Sequence, residues 1–406
     1  MQKNSLTIIG AGASGLLCSI LAARRGISVT LLEQQSKVGR KISASGNGKC
    51  NIGNRYPTVD RYHSNDSHFV ASLLDGYDAE KIIQLFDSLG IAIIEGKEYK
   101  LFPMSMQASA VVEILRYEAE SLGVQLLTSY RVTAVKKDQK DFIIESDLHP
   151  LRKASRLLLA CGSMAAPQLG GSSLGLDIAS SLGHTIIASY PSLVQLCSDE
   201  KWVKEVSGVK IEAEVQFYAN GTYISQKRGD ILFTNYGISG LAILDISRDV
   251  NSALQEYSYC ELHLDLFPDT SKEQLINLFL SYVEETNTKP IEIWLLGFLN
   301  KKLIPRVIAQ SKTKAKTVAQ LNKKELIKLT YSLKNLKLSI SQSRGYQGAE
   351  VASGGVETQQ INPHTLESKI VPNLYITGEV LNVDGDRGGF NFHFAWVTAM
   401  RVAAAL

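Results

Sequence analysis

The 406 residues predict an α/β fold whose parallel sheet is split in sequence by a long insertion. Three observations lead there. Residues 1–33 read strand, glycine turn, helix, strand. Residues 346–406 return to strand, glycine loop and helix. Between them, after about residue 190, the pattern gives way to hairpin-like alternation and then to helix. Strands alternating with helices imply a parallel sheet.

Each element can be justified in order. Residues 6–9 form a short apolar strand. Gly10-Ala11-Gly12-Ala13-Ser14-Gly15 turns the chain, and apolar positions 16, 17, 20, 21 and 23 mark a helix that Gly26 stops. A second strand over 28–32 closes on Glu33. A glycine-rich loop (39–53) and a polar region (54–68) follow, then helices over 78–89 and 106–122. Short strands are expected near 124–127, 131–135, 141–145 and 156–160, and a helix over 174–182 ends at Gly183. Residues 211–224 alternate around Asn220-Gly221, a hairpin signal. The run Ile231-Leu232-Phe233 and a strand near 260–266 come next, and 271–333 reads as helical. A strand over 373–377 leads into Gly378-Glu379 and the last helix.

Composition excludes several classes. Apolar residues are 45% and charged residues 20%, which rules out collagen, coiled coil and wholesale disorder. The five cysteines form no CxxC pair, which fits a reduced cytoplasmic protein without a metal site. The uncharged stretches 6–23 and 157–176 are broken by glycines, so neither reads as a membrane span. Net charge is +3, but residues 301–344 hold twelve basic residues and one acid, Glu325. That segment carries +11 and the rest of the chain −8.

Gly10-x-Gly12-x-x-Gly15 between strand and helix is a dinucleotide fingerprint. Gly10 permits the turn, Gly12 lets backbone N–H groups approach a pyrophosphate, and Gly15 lets the helix pack on the sheet. Glu33, 18 residues on, can accept from two ribose hydroxyls and would repel a 2′-phosphate. Two segments favour FAD over NAD. The loop with Gly39, Arg40, Lys41, Ser45, Gly46, Asn47, Gly48, Cys50 and Asn51 combines small residues that can lie against a flat ligand with cations that can face phosphate. At the other end, Glu379 closes a strand, and Gly388-Gly389-Phe390-Asn391 opens the last helix. The N–H groups of that helix would suit the N1–C2=O edge of a flavin.

These motifs in this order resemble a bacterial family, the BaiN/RdsA-type NAD(P)/FAD-dependent flavoproteins, which include aminoacetone oxidases and a 3-dehydro-bile-acid reductase. The resemblance also rests on Phe102-Pro103, on 233–240, on Gly354-Gly355-Val356 and on 365–369. It departs at Ala160-Cys161-Gly162-Ser163, at Lys49 and at Phe390. It implies a Rossmann-like FAD-binding domain (1–189 and 346–406), an inserted β-rich substrate domain (190–270 and 334–345) and a helical subdomain (271–333). It also implies a cofactor set that includes Ala13, Ser14, Val132, Ala160, Cys161, Gly162, Gly378 and Asp384 beside the residues above.

The expected activity is FAD-dependent hydride transfer between NAD(P)H, a transient donor, or a small organic substrate and the flavin. The alternatives are an amine oxidase using O2, a flavoprotein that binds nucleic acid through 301–344, and an FAD-binding regulator without turnover. No metal cluster or Ser/His/Asp order appears. His393, two residues past Asn391, is a candidate proton donor, and Tyr236 in the insertion a candidate substrate contact.

Overall fold

The computed structural model describes residues 4–283 and 288–406. The chain divides into two compact units, Met1–Tyr190 with Glu350–Leu406, and Pro191–Ala349.

The first unit is built on a five-stranded parallel sheet. Its order is Leu374–Ile376, Leu157–Leu159, Ser5–Ile9, Ser28–Leu32 and Gln125–Leu127. The inner strands are mostly apolar because both faces are covered; Ile8, Leu31, Leu158 and Ile376 are fully buried, whereas the edge strand Gln125–Leu127 is partly exposed. One cover is the first helix, Ala13–Arg24, which packs against the last, Phe390–Ala405. Both helices are apolar on most sides because they are core helices; Leu16, Leu17, Trp396 and Val397 are all buried. The strand from the far end of the chain thus lies one strand away from Ser5–Ile9. A two-stranded ribbon, Ile186–Ser192 with Val351–Val356, carries the chain out of this unit and back. Gly354 (φ +86) sits where a Cβ would lie 2.4 Å from the Ala188 carbonyl oxygen, so the ribbon is tightly paired there.

The second unit is a seven-stranded antiparallel sheet. Its order is Leu336–Ile340, Cys260–Asp265, Lys210–Ala219, Thr222–Thr234, Gly237–Ser239, Leu196–Cys197 and Gln342–Ser343. Asn220 and Gly221 both have positive φ at the hairpin tip, as the primed turns need.

Several expectations change. The run 231–233 is not a separate strand but the end of the 13-residue strand Thr222–Thr234. The helix Leu241–Gln255 was not anticipated. Its buried Ala242, Ile243, Ile246 and Val250 follow helical spacing, but six polar residues between 245 and 252 obscure the stripe. The expected helical stretch 271–333 is four helices, Lys272–Leu280, Ile291–Leu295, Ile304–Ser311 and Lys323–Lys334, with irregular chain between; its residues 284–287 lie outside the described residues. These helices share one hydrophobic core with the sheet, where Phe279, Leu295, Val307 and Leu329 join Phe217 and Leu262. The glycine-rich loop 39–53 holds a short helix, Arg40–Ala44.

Candidate functional site

The site is the rim of the parallel sheet in the first unit. Gly10 has φ +103, and a Cβ there would lie 2.4 Å from the Ala160 carbonyl oxygen. A Cβ on Gly15 would lie 1.9 Å from the Gly10 carbonyl oxygen. These two glycines are therefore required by packing. Gly12 is different: a Cβ there would meet nothing within 4 Å. It caps the twelve-residue first helix, which has no side-chain cap, so its N-terminal N–H groups face open space. Ala13 and Ser14 form the first helical residues.

Glu33 is buried, and its two carboxylate oxygens accept from the Ala11 and Gln35 N–H groups, each at 2.8 Å. Burial pushes its pKa up, while those two donors and Arg40 pull it back. Gly39 donates its N–H to the Ala11 carbonyl at 2.9 Å, which ties the second loop to the fingerprint. The guanidinium of Arg40, a candidate to face phosphate, donates to Gln35 Oε1 at 2.6 Å and to the Gln168 carbonyl at 2.8 Å. Lys41 was expected there too, and its ammonium meets Glu379 at 2.9 Å. Ser163 Oγ donates to the same Glu379 oxygen at 2.8 Å. Gly162 (φ +73) faces this carboxylate, which is the nearest atom to its missing Cβ, at 4.0 Å. Gly378 (φ +63) lies against Ser14, whose Oγ is 3.2 Å from Thr377 Oγ1. Both ends of the sequence therefore meet at one place.

The loop beyond Arg40–Ala44 folds through left-handed backbone at Gly46, Asn47, Gly48 and Cys50. Ser45 accepts the Cys50 N–H at its carbonyl, 3.1 Å away. The loop is then clamped to the last helix. Trp396 Nε1 donates to the Ile52 carbonyl at 2.9 Å, and Asn54 Nδ2 to the Gly388 carbonyl at 3.1 Å. Gly389 (φ +105) is held so close that a Cβ would lie 2.3 Å from the Gly53 carbonyl oxygen. Beside it, Asn51 Oδ1 is buried without a hydrogen-bond partner. A buried acceptor left unpaired is costly unless a ligand donates to it.

Other expected residues are placed as follows. Val132 is buried at the start of strand Val132–Asp138, and Asp384 is buried where Asp384–Gly385 pairs with Tyr62–His63. The Asn391 amide accepts from the Gly385 N–H at 2.8 Å and donates to the Gly385 carbonyl at 2.7 Å. Phe390 is buried beneath Arg61, whose guanidinium carbon is 4.6 Å from the ring centre. Cys161 donates to the Ile9 carbonyl at 3.5 Å, and burial pushes both it and Cys50 up to about 12, so neither is a thiolate. His393, the candidate proton donor, lies in the core. Its ring is fully buried, Nε2 is 2.9 Å from the Tyr77 carbonyl, and burial lowers its pKa to about 4. Tyr236 belongs to the second unit, where Arg344 covers its ring at 4.8 Å.

One cluster escaped the sequence reading. Asp386 pairs with His63 at 2.8 Å and Arg61 at 3.2 Å. The acid lies in the glycine-rich stretch 384–391, but nothing in the polar region 54–68 marks its partners. Among the described residues no His/Cys/Asp/Glu group is arranged to hold a metal, and no helix is long and apolar enough to cross a membrane.

A family profile described as "HI0933-like protein Rossmann domain" matches residues 4–405. The chain belongs to the HI0933-like family. Within reach of it is a 3-dehydro-bile acid delta(4,6)-reductase of Clostridium scindens, 34% identical over 97% of both chains. A ribosomal RNA dihydrouridine synthase of Haemophilus influenzae is 32% identical over 100% of this chain and 99% of its own. Among solved structures, the 3-ketosteroid delta1-dehydrogenase of Sterolibacterium denitrificans shares the fold, with TM-score 0.52 and 10% identity over 100% of both chains. The HI0933-like rim fits FAD on its own geometry: an open face at Gly12, an uncapped helix, an unpaired buried acceptor at Asn51, and a glycine opening before Glu379.

Proposed function

We propose that this oxidoreductase of the HI0933-like family binds FAD and reduces a carbon–carbon double bond conjugated to a carbonyl group, with NADH or NADPH as donor. The observation that carries the cofactor assignment is the convergence of Gly12, Lys41, Gly162 and Glu379 from four distant stretches of sequence on one rim. The names of two relatives support the reaction class. A delta(4,6)-reductase of a 3-dehydro-bile acid and a dihydrouridine synthase both add hydrogen across a double bond conjugated to a carbonyl.

The residues divide the work. Gly12, Ala13, Ser14 and Gly15 offer N–H groups to a pyrophosphate. Glu33 is held by two backbone donors with lone pairs left for ribose hydroxyls. Glu379, neutralised by Lys41 and steadied by Ser163, is placed for a polyol chain. Asn51, Gly388 and Gly389 form a rigid edge for a planar ring. Bound FAD supplies two-electron chemistry that no side chain here provides. The protein's part is to orient the ring and keep water out.

The test is anaerobic. Holo-protein is mixed with NADH or NADPH and then with a steroid 4,6-dien-3-one or a uridine-containing RNA. Bleaching by the nucleotide, followed by recovery of colour and a product richer by two hydrogens, is expected. No bleaching with either nucleotide, together with peroxide formed from a small amine in air, would overturn the reading in favour of an amine oxidase.

A further inference from the structure

We propose that the second unit carries a docking surface for RNA phosphates, formed by Lys312, Lys314, Lys316, Lys323 and Lys324. The inference starts by dividing the basic segment 301–344. Much of its charge is consumed internally. Arg306 pairs with Glu200, Lys334 with Asp265 and Lys337 with Glu261. The five lysines named are instead all exposed, and among the described residues none of their ammonium groups has a carboxylate partner.

They are also held together. Glu325, the segment's one acid, is turned inward as a fastener. It accepts from Thr313 Oγ1 at 2.5 Å, from the Lys314 N–H at 3.1 Å and from Lys328 at 2.8 Å. Those contacts pin the 312–316 stretch to the first turn of helix Lys323–Lys334 and spend the only negative charge nearby in the segment. At the other edge, the Lys316 carbonyl accepts from the Ile291 N–H at 3.1 Å, and the Lys316 N–H donates to Gln320 Oε1 at 2.8 Å. The lysines thus stand on ordered chain.

Folding gains nothing from this arrangement. Lys323 and Lys324 occupy the first turn of a helix, where cations oppose the dipole. Three further lysines beside them add repulsion. Charge placed against local preference is expected where an outside partner compensates it. A polyanion with closely spaced single charges fits five cations spread over a loop and a helix end. Tyr331, half exposed, lies two turns along the same helix face as Lys324 and, with the Lys272 ammonium 5.8 Å from its ring centre, offers a ring for an unstacked base. RNA satisfies both features. The inference rests on the proposed reductase reading only for what happens to a uridine after docking; the binding surface stands on the charges.

The experiment measures binding of FAD-loaded protein to a fluorescein-labelled ribosomal RNA hairpin by anisotropy across a salt series. Two variants are compared, K312Q/K314Q/K316Q and K323Q/K324Q. Affinity of the wild type should fall steeply with salt, and each variant should bind at least about tenfold more weakly with a flatter salt slope. Reduction of the small dienone should be unchanged in both, which also shows that they fold. Unaltered RNA affinity and slope in both variants would overturn the proposal. So would a wild type that binds phosphatidylglycerol vesicles as tightly as RNA. Loss of RNA binding in variants of a protein that reduces no dienone would leave the docking surface standing and remove the reductase reading instead.

Discussion

The Lys41 ammonium lies 2.9 Å from a Glu379 carboxylate oxygen, a contact between residues 338 positions apart. Both side chains are mostly covered, so solvent screens the pair less than a surface bridge. Glu379 is thereby held in place. Lys41→Met and Glu379→Gln are each expected to weaken FAD binding about tenfold, in line with a charged hydrogen bond. Flavin released on gel filtration is the readout, and full retention in both variants would remove this pair from the cradle.

Two of the fingerprint glycines, Gly15 and Gly12, should respond differently to alanine. Gly15→Ala drives a Cβ to 1.9 Å from a backbone oxygen. It should destabilise the fold by on the order of 3 kcal/mol or more. Gly12→Ala meets nothing and keeps an ordinary φ of −81°. Its stability should stay within about 1 kcal/mol of the parent, yet the methyl group fills the approach to the phosphates, so FAD binding should be lost. Thermal melts with and without FAD separate the two effects.

His393 predicts an acid limit to stability. Its pKa falls from 6.5 to about 4 on folding because burial disfavours the cation. The neutral ring therefore contributes stability that is present above pH 6.5 and is lost as pH drops toward 4. The loss is on the order of 3 kcal/mol. Urea midpoints between pH 7 and 4 should show a steeper decline in the parent than in His393→Asn. Equal slopes would mean the ring is solvated.

Cys50 should be silent toward thiol reagents. It is fully buried and pushed up to about 12. Iodoacetamide at pH 8 should leave it unmodified in the folded protein and label it in urea. Rapid native labelling would show that the loop around it opens.

The parallel sheet and the meeting of the two chain ends could be read from sequence, because both rest on local signals. Gly10, Gly12 and Gly15 announce a turn, and the strands beside them are mostly apolar. The helix Leu241–Gln255 was hidden because polar residues interrupt its stripe, and its partner face lies on strands remote in sequence. Side-chain roles were less legible where a residue had two possible uses. Asn391, Arg40 and His393 all have the right chemistry to touch a ligand. Only the folded structure reveals that the first latches Gly385, the second bridges two loops and the third fills the core. The Asp386–His63 pair was invisible for a related reason, since its halves are 323 residues apart.

The ribbon of Ile186–Ser192 and Val351–Val356 has a consequence for how such proteins diversify. Departure and return occur on adjacent rungs, with the Glu357 N–H bonded to the Thr185 carbonyl at 3.0 Å. A cassette grafted at that doorway leaves the host sheet undisturbed, whatever its own size. The inserted unit can therefore change in length or fold without shifting the strands of its host, and a short turn joining the two rungs should leave the parallel sheet able to form.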